Sequence, residues 1–298
     1  MAKTKWQYGT IDSKSGGKVR FGVLRTSETP THTLVFLNGR SEWIEKYDHL
    51  WPYLRLKKDT QIITWDHKGQ GKSEGQRAHI DSYDEFISDG KQIIDQVAGE
   101  SYTIMAHSMG SLITLYGTLK GQFRPDSIIL GSPLLMLPDS PLKRNFYIPV
   151  AKFASYLNLG RQSPGVGGGE EEYFENPVTR SYDGYRKIGD SSFSSISPTF
   201  GWVAATSDAL KFVHDSQNIA KLSCPALILG GGQESVVDYK GFSQWVRSAS
   251  ESGSQAVKFV NIPGARHELF NEIPETIESV VLNIKNWHKS QKIKHSVF

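Results

Sequence analysis

The chain has 298 residues, of which 38% are hydrophobic and 22% are charged. This composition is typical of a globular protein and excludes a disordered or fibrous one. The formal net charge of +3 is too small to indicate nucleic-acid binding. The single cysteine, Cys224, excludes an internal disulfide and a cysteine-based zinc site, so we expect a reducing compartment.

Three segments of the sequence indicate whether the protein is secreted or bound to a membrane. The first ten residues, MAKTKWQYGT, contain no apolar run of the kind that a signal peptide needs. The most apolar stretch, Ser127 to Pro138, is far shorter than the ~20 residues of a membrane-spanning helix. We therefore expect a cytoplasmic protein. The mildly basic end KSQKIKHSVF leaves transient, peripheral contact with a membrane surface as an open alternative to simple solvation.

Short apolar runs alternate with amphipathic runs along most of the chain. Two runs near the N-terminus, Trp6–Ile11 and Lys18–Thr26, predict an antiparallel hairpin. Six later runs predict strands: Thr33–Asn38, Gln61–Asp66, Tyr102–His107, Ser127–Gly131, Ala226–Gly230 and Ala256–Ile262. Five amphipathic runs predict helices: Glu42–Leu56, Tyr83–Val97, Met109–Leu119, Asp238–Ser248 and Pro274–His288. Strands alternating with helices indicate an α/β fold with a mostly parallel sheet that has helices on both faces.

The alternation stops between Leu137 and about Leu222. This part has no strand-like run and contains several prolines, a GVGGGEEE segment and aromatic helical runs. Because loops of this length without structure are uncommon, we predict that residues 138–221 form an inserted helical cap over the carboxyl ends of the strands. Residues 1–137 and 222–298 would then form one α/β core.

A candidate nucleophile lies where the third of these strand runs meets a helical run. The residues Ala106-His107-Ser108-Met109-Gly110 follow the small-x-Ser-x-Gly pattern of a nucleophile elbow, a sharp turn that exposes the serine hydroxyl. Residues 106 and 110 are small because larger side chains would clash with the neighbouring strand and helix. Chance gives about 0.2 matches to such a pattern in a chain of this length, so the strand before it and the helix after it carry the inference.

A serine nucleophile needs a base, and the base needs an orienting acid. In the fold that uses this elbow, the acid and then the histidine follow the serine along the chain. His267, after the last predicted strand, is the candidate base. Glu234 is the favoured acid, because it directly follows the preceding strand. Asp238 is the alternative acid, although its place before a predicted helix suits helix capping.

The developing oxyanion needs two fixed N–H donors. The backbone of Met109, next to the nucleophile, offers one, and the backbone of Arg40 in the loop Asn38-Gly39-Arg40-Ser41 offers the other. The turn Asp66–Ser73 contains two glycines but no phosphate-loop pattern, so we interpret it as structural. This chemistry requires no metal and no organic cofactor.

Six segments, in this order, carry a resemblance to a known family: Asn38–Tyr47, Asp66–Gly75, Ser82–Asp89, Ala106–Ser111, Gly231–Asp238 and Gly264–Glu272. The chain resembles serine hydrolases of the α/β-hydrolase fold, on the monoacylglycerol lipase and bacterial lysophospholipase branch. Within the predicted cap, Glu175–Lys187 also resembles the lysophospholipase group. The resemblance implies a triad of Ser108, Glu234 and His267, with Arg40 and Met109 forming the oxyanion hole.

Three positions depart from the family pattern. Asn38 stands where the family has histidine, and Lys68 stands where it has arginine. Glu234 stands where most relatives have aspartate, although glutamate also fits the lysophospholipase group. None of these changes removes a catalytic group.

The resemblance also implies the reaction, which is hydrolysis of a single-chain lipid ester, lysophospholipid or monoacylglycerol, through an acyl-enzyme. Cap aromatics such as Phe146, Phe153 and Tyr156 are candidates for substrate binding, although any one of them more often packs a cap onto its core. The alternatives are a small-ester carboxylesterase, a prolyl aminopeptidase that would use Glu170, Glu171 and Glu172 to bind an amine, and a non-catalytic binding protein with the same fold. No nucleic-acid partner is expected. The head group, acyl length and oligomeric state stay open.

Overall fold

The structure, a computed structural model, describes residues 5–137, 146–163, 165, 172–189, 193, 197–253, 257–291, 293 and 296–298. Eight strands form one sheet in the order β1-β2-β4-β3-β5-β6-β7-β8. Their bounds are β1 Trp6–Asp12, β2 Lys18–Arg25, β3 His32–Leu37, β4 Thr60–Trp65, β5 Thr103–His107, β6 Ser127–Gly131, β7 Ala226–Gly231 and β8 Val257–Ile262. β1 and β2 pair antiparallel, β2 pairs antiparallel with β4, and the remaining pairs are parallel. The predicted hairpin and the mostly parallel sheet are confirmed.

The α-helices of the described residues connect these strands. Their bounds are α1 Trp51–Leu54, α2 Tyr83–Val97, α3 Met109–Leu119, α4 Ile148–Tyr156, α5 Tyr182–Gly189, α6 Phe200–Val213, α7 Ser216–Ile219, α8 Lys240–Glu251 and α9 Pro274–Ser290. Side chains of α2, α3, α6 and α8 belong to one apolar cluster, whereas α1 and α9 contribute to another. The sheet lies between these two clusters, so helices cover both of its faces.

Alternation along the strands explains the two clusters. In β3, Val35 and Leu37 belong to the cluster with α2 and α3, while Leu34 and Phe36 belong to the cluster with α1 and α9. All of these side chains are buried. Because a strand covered on both faces needs apolar residues at every position, the continuous apolar runs of the sequence identified these strands within about one residue.

One predicted helix, Glu42–Leu56, is wrong as a continuous element. The structure has a 3-10 turn at Ile44–Tyr47, a further turn, and then the single turn of α1. Pro52 lies in the first turn of α1, where its missing N–H is tolerated. Inside a longer helix the proline ring would clash with the preceding turn. The apolar residues of this run do face the core, but they belong to two short elements and not to one helix.

The residues between β6 and β7 contain α4, α5, α6 and α7 and, in their described part, no strand. α6 packs against α4 on one side and against α2 and α3 of the core on the other. These findings agree with a helical insertion, and the limits 138–221 stay a prediction. No helix within the described ranges is long and apolar enough to cross a membrane.

The end of the chain lies against the core. Val297 is completely buried, and its carbonyl accepts a hydrogen bond from the Lys57 N–H at 3.0 Å. The Phe298 ring lies 5.2 Å from the ring of His288 in α9. Lys292 and Lys294, which supply most of the basic charge of this tail, lie outside the described residues.

Candidate active site

Ser108 lies between β5 and α3 in a strained conformation. Its φ of 49° and ψ of −114° are values that non-glycine residues rarely adopt. The strained backbone is held on both sides, because the Ser108 N–H donates to the Gly131 carbonyl at 2.9 Å and its carbonyl accepts from the Leu134 N–H at 3.1 Å. Such strain costs about 1–3 kcal/mol and persists where the surrounding structure enforces it. The turn expected of a nucleophile elbow is therefore present.

The small residue two positions later is required by close packing. A Cβ at Gly110 would lie 2.4 Å from the Leu37 carbonyl oxygen and 2.5 Å from the Asn38 carbonyl oxygen. Both oxygens belong to the backbone at the end of β3, which cannot move away without disturbing the sheet. The glycine thus lets the start of α3 approach the loop that follows β3.

Three side chains from distant parts of the chain meet at this turn. Nε2 of His267 lies 3.0 Å from Oγ of Ser108, and Nδ1 of the same ring lies 2.8 Å from Oε2 of Glu234. The other carboxylate oxygen of Glu234 accepts hydrogen bonds from the N–H groups of Val236 at 2.8 Å and Val237 at 3.2 Å. The result is a continuous hydrogen-bonded chain from a fixed carboxylate through an imidazole to a hydroxyl.

The environment of Glu234 keeps it ionised. Burial by itself would raise the pKa of this carboxyl group, but hydrogen bonding and charge interaction with His267, together with the amides of Val236 and Val237, lower the pKa below its usual value. An ionised carboxylate here orients the imidazole and stabilises the imidazolium that forms when the ring takes a proton.

Asp238, the alternative acid, does not contact His267. Its carboxylate accepts a hydrogen bond from the Lys240 N–H at 2.9 Å, at the start of α8. Asp238 thus bonds to the start of the helix that follows it, as its position suggested, although Tyr239 occupies the N-cap position. Of the two acids, the structure brings Glu234 to the histidine.

The loop after β3 lies beside the serine, as expected for an oxyanion loop. The Gly39 N–H donates to the carboxylate of Glu42 and is therefore already bonded inside the protein. The next residue is Arg40, and Met109 is the first residue of α3, where backbone N–H groups lack partners within the helix. The two predicted donor residues thus lie on the two segments that meet at Gly110.

The side chain of Arg40 is half-buried, not solvated as a surface arginine would be. Its guanidinium carbon lies 5.5 Å from the ring centre of Trp202 in α6, and Nη1 is 3.4 Å from Oγ of Ser41. Burial lowers the pKa of Arg40 relative to its usual value, and Tyr83 partly opposes this shift. A sheltered positive charge therefore extends from the oxyanion loop towards α6 of the insertion.

The turn Asp66–Ser73 is structural, as interpreted from the sequence. The Asp66 carboxylate accepts hydrogen bonds from the N–H groups of Ile44 and Lys72 at 2.8 and 2.9 Å. Lys68, one of the departures from the family pattern, forms an ion pair with Glu85 at 2.8 Å. The turn holds the segment that follows the oxyanion loop.

A buried ionic cluster next to the site was missed by the sequence analysis. Nζ of Lys46 lies 2.8 Å from Glu42 and 2.6 Å from Glu268, and all three side chains are at most 7% exposed. Burial would lower the pKa of Lys46, but the two carboxylates raise it above its usual value. The i, i+4 spacing of Glu42 and Lys46 is visible in the sequence, but the same spacing is common in exposed ion pairs.

Two residues of this cluster, Glu42 and Glu268, lie close to His107, and these three form the only group of potential metal ligands among the described residues. The ammonium of Lys46 already contacts both carboxylates, so a metal ion would have to displace it. Burial lowers the pKa of His107 to about 3, which keeps this ring neutral. The arrangement is therefore that of an internal ion pair.

The three aromatic residues singled out as substrate contacts lie on the outside of the insertion. Phe146, Phe153 and Tyr156 are 65%, 63% and 82% exposed. They do not line an enclosed tunnel in this structure, whereas Trp202, in α6 of the insertion, is buried. Of the three glutamates considered for amine binding, Glu172 is exposed, and Glu170 and Glu171 lie outside the described residues.

Comparisons with known proteins find relatives over most of the chain. A family model described as serine aminopeptidase, S33 (Hydrolase_4) matches residues 28–274. The chain is 25% identical over 293 residues to a probable lysophospholipase L2 of Haemophilus influenzae, covering 93% of this chain and 90% of that protein. It is 25% identical over 272 residues to the monoglyceride lipase of Rattus norvegicus, covering 88% and 84%. A monoglyceride lipase structure from Saccharomyces cerevisiae, in complex with a substrate analogue, matches with a TM-score of 0.75 at 18% identity, covering 96% of this chain and 95% of that one.

Proposed function

The chain belongs to the serine aminopeptidase S33 family of the α/β-hydrolase fold, and we propose that it hydrolyses a single-chain lipid ester with Ser108 as nucleophile, His267 as base and Glu234 as acid. The observation that carries the proposal is the hydrogen-bonded chain from Glu234 through His267 to Ser108, with distances of 2.8 and 3.0 Å. A strained serine at the start of a helix, in contact with an oriented imidazole, is the arrangement that acyl transfer requires.

The reaction proceeds in two steps. His267 accepts the proton of the Ser108 hydroxyl while its oxygen attacks the ester carbonyl. The imidazolium, stabilised by Glu234, then protonates the departing alcohol and leaves an acyl-enzyme. In the second step His267 removes a proton from water, the hydroxide attacks the acyl carbonyl, and Ser108 is released with its proton restored.

The negative charge on the carbonyl oxygen forms next to the N-terminus of α3. The backbone N–H groups of Met109 and Arg40 are the proposed donors to this oxyanion. The hydrogen bond from Gly39 to Glu42 supports this assignment, because it fixes the course of the loop directly before Arg40.

The substrate class rests on the relatives and on the insertion. The relatives named above are a lysophospholipase and a monoglyceride lipase. The insertion carries exposed aromatic side chains, Phe146, Phe153 and Tyr156. Grouped apolar side chains facing water are costly for a monomer and suit contact with an apolar ligand or surface. A substrate with one acyl chain fits both observations.

Between the two lipid classes, Arg40 favours the lysophospholipid. Its guanidinium is sheltered by Trp202, and it belongs to the residue whose backbone is proposed to hold the oxyanion. The cation therefore stays within one side-chain length of the scissile ester, where a phosphate on the substrate would be attracted. A monoacylglycerol has no anionic group for this residue to bind.

The description of the family names an aminopeptidase, which makes that activity the main alternative. An aminopeptidase must hold the positively charged amine of its substrate with an acid near the nucleophile. Among the glutamates considered for this role, the described one, Glu172, is exposed to solvent. The preference for the esterase therefore rests on the lysophospholipase and monoglyceride lipase relatives, and the assay below separates the two activities.

The test measures fatty-acid release from lysophosphatidylcholine and from monooleoylglycerol side by side, with Ser108→Ala as the blank. We expect release from both to exceed the blank and to be faster for lysophosphatidylcholine. Labelling of Ser108 by a fluorophosphonate, absent in the variant, checks the nucleophile independently. Release of proline from a Pro-peptide without any fatty-acid release would replace the lipid assignment with the aminopeptidase, and failure of Ser108 to label would favour a non-catalytic protein.

A further inference from the structure

One segment of the insertion has no part in the chemistry described so far. Asn176–Ser181, here called the anchor segment, belongs to the stretch that resembles the lysophospholipase group. It forms neither helix nor strand, yet Asn176 and Thr179 are 3% and 0% exposed. Buried backbone groups outside regular structure need partners elsewhere. Most of those partners lie in residues 263–273, the histidine loop, which carries His267.

The anchor segment first forms a compact turn of its own. The Asn176 side-chain oxygen accepts hydrogen bonds from the N–H groups of Val178 at 3.0 Å and Thr179 at 2.9 Å, and its amide donates to the Tyr173 carbonyl at 2.5 Å. This is the local side-chain turn that asparagine favours. It leaves the carbonyl groups of Asn176, Val178 and Thr179 available to the histidine loop.

Those carbonyls bind the residues on both sides of the histidine. The Glu268 N–H donates to the Val178 carbonyl at 2.7 Å. The Arg266 guanidinium donates through Nη1 to the carbonyls of Asn176 at 2.7 Å and Thr179 at 3.1 Å. The peptide that carries His267 is therefore held on both sides by the insertion.

Two side chains extend this connection along the loop. The Thr179 hydroxyl donates to the Asn271 carbonyl at 2.7 Å. Arg180 pairs with the buried carboxylate of Glu272 at 3.2 Å, and that carboxylate also accepts the Arg266 N–H at 2.9 Å. The contacts form one connected network, so displacing the anchor segment would displace the loop.

We infer that the anchor segment is a positioning element for His267, so that the insertion sets the alignment of the base as well as covering the substrate. The inference rests on the proposed serine hydrolase chemistry. Because a misplacement of about 1 Å between reacting groups can cost about a hundredfold in rate, loosening this network lowers kcat. KM for a small ester changes little, since the network holds the histidine loop and contains none of the proposed substrate contacts.

The experiment replaces one hydroxyl and compares it with a matched one. Thr179→Val keeps the shape of the side chain and removes the donor to Asn271, while Thr179→Ser keeps the donor. Thr199→Val is the control, because Thr199 is also a buried threonine of the insertion. Its hydroxyl contacts the Ala78 carbonyl at 3.2 Å, Nδ1 of His79 at 2.9 Å and the Trp202 N–H at 3.2 Å, and none of these partners belongs to the histidine loop. The readouts are kcat and KM for p-nitrophenyl acetate, the rate of fluorophosphonate labelling and Tm.

We expect Thr179→Val to lower kcat and the labelling rate about tenfold, with KM within about twofold of the wild type. Thr179→Ser should recover most of the loss. Thr199→Val should lower Tm at least as much, because it also removes the N-cap of α6, but it should retain the wild-type kcat. If Thr179 had a purely structural role, kcat would follow Tm in both variants. A loss of kcat in Thr179→Val but not in the control therefore supports a positioning role.

Two results would overturn the inference. Thr179→Val could retain the wild-type kcat, or Thr199→Val could lose as much activity as Thr179→Val. If Thr179→Val does not fold, the pair Arg266→Met and Arg266→Lys tests the same network with the same readouts, the first expected to lose activity and the second to keep more of it. A wild type that neither turns over nor labels would instead remove the proposed function, and the inference with it.

Discussion

The sheet and the insertion between β6 and β7 differ in how far they bury their apolar side chains. Every residue of β5 is buried, whereas in α4 Phe153 and Tyr156 are 63% and 82% exposed. The insertion packs on the core through α6, but its described segments are also tied down by polar contacts, such as Thr199 with the Ala78 carbonyl and Thr179 with the Asn271 carbonyl.

This difference separates two tasks. A sheet buried on both faces is rigid enough to hold Ser108 in a strained conformation. An insertion that keeps large apolar side chains in water can meet an apolar substrate without first unpacking. The strained nucleophile should therefore depend on the core, the alignment of His267 should depend on the core and the anchor segment together, and the preference for lipid should depend on the outer face of the insertion.

The largest effect should come from the acid in the core. Glu234→Gln removes the charge that stabilises the imidazolium, and by analogy with other triads kcat for p-nitrophenyl acetate should fall about 10⁴-fold. Asp238→Asn is the matched control, since Asp238 contacts the start of α8 and should retain activity within a fewfold range. The reverse ranking of the two variants would move the acid to Asp238.

The core should also make the protein sensitive to acid. Burial lowers the pKa of His67 to about 4 and of His107 to about 3, well below the usual value of about 6.5. The folded protein favours the neutral rings, whereas the unfolded chain binds protons on them below about pH 6.5. The free energy of unfolding is therefore highest above pH 6.5 and decreases as the pH falls. Each should lower the free energy of unfolding by up to about 1.4 kcal/mol per pH unit.

Urea midpoints measured between pH 7.5 and 4.5 at constant ionic strength check this expectation. The range is chosen because carboxyl groups with lowered pKa, such as that of Glu234, lose their contribution only below about pH 4.5. A midpoint that stays constant over this range would contradict the assignment of buried neutral histidines.

Two glycine-to-alanine substitutions, one in the core and one in the insertion, test how tightly each region is packed. Gly110→Ala places a Cβ against the backbone of β3 and should destabilise the protein by about 1–3 kcal/mol, with loss of activity. Gly189→Ala, at the end of α5, meets open space among the described residues and should be neutral within about 0.5 kcal/mol. Denaturant unfolding measures both variants, and equal losses would mean that the core glycine is not specially constrained.

The smallest effect should come from the outer face of the insertion. Phe153→Ser with Tyr156→Ser removes apolar area that is already exposed, so stability should change by less than about 0.5 kcal/mol. We expect kcat/KM for an aggregated lysophospholipid to fall by about fivefold, because partial burial of the two rings against lipid is together worth about 1 kcal/mol. Turnover of p-nitrophenyl acetate provides the comparison, and a parallel loss on both substrates would argue against a role in lipid contact.

Most of the fold was predictable because its signals are local. The strand β6 was predicted with its observed bounds, Ser127–Gly131, and α2 with its observed bounds, Tyr83–Val97. The exception is Glu42–Leu56, where an amphipathic spacing interrupted by Pro52 belongs to a 3-10 turn and one turn of α-helix. Apolar periodicity identifies which residues face the core but does not count the turns between them.

The candidate site was predictable only in part. Ser108 and His267 follow from their places after strands that end at the same edge of the sheet. The ionic cluster of Glu42, Lys46 and Glu268 did not follow, because Lys46 and Glu268 are 222 positions apart and nothing in the sequence near either residue indicates the other. Charged residues are expected at the surface unless a partner is known.

The sequence by itself determined the parallel sheet and the nucleophile elbow, since buried strands need continuous apolar runs and the elbow needs small residues at positions 106 and 110. Only the tertiary structure decided which acid contacts His267. Glu234 and Asp238 lie four residues apart in one loop, and the course of that loop brings the first to the histidine and the second to the start of α8. Tertiary contacts also decided that the insertion holds the histidine loop, because hydrogen bonds between segments so far apart in sequence leave no local pattern.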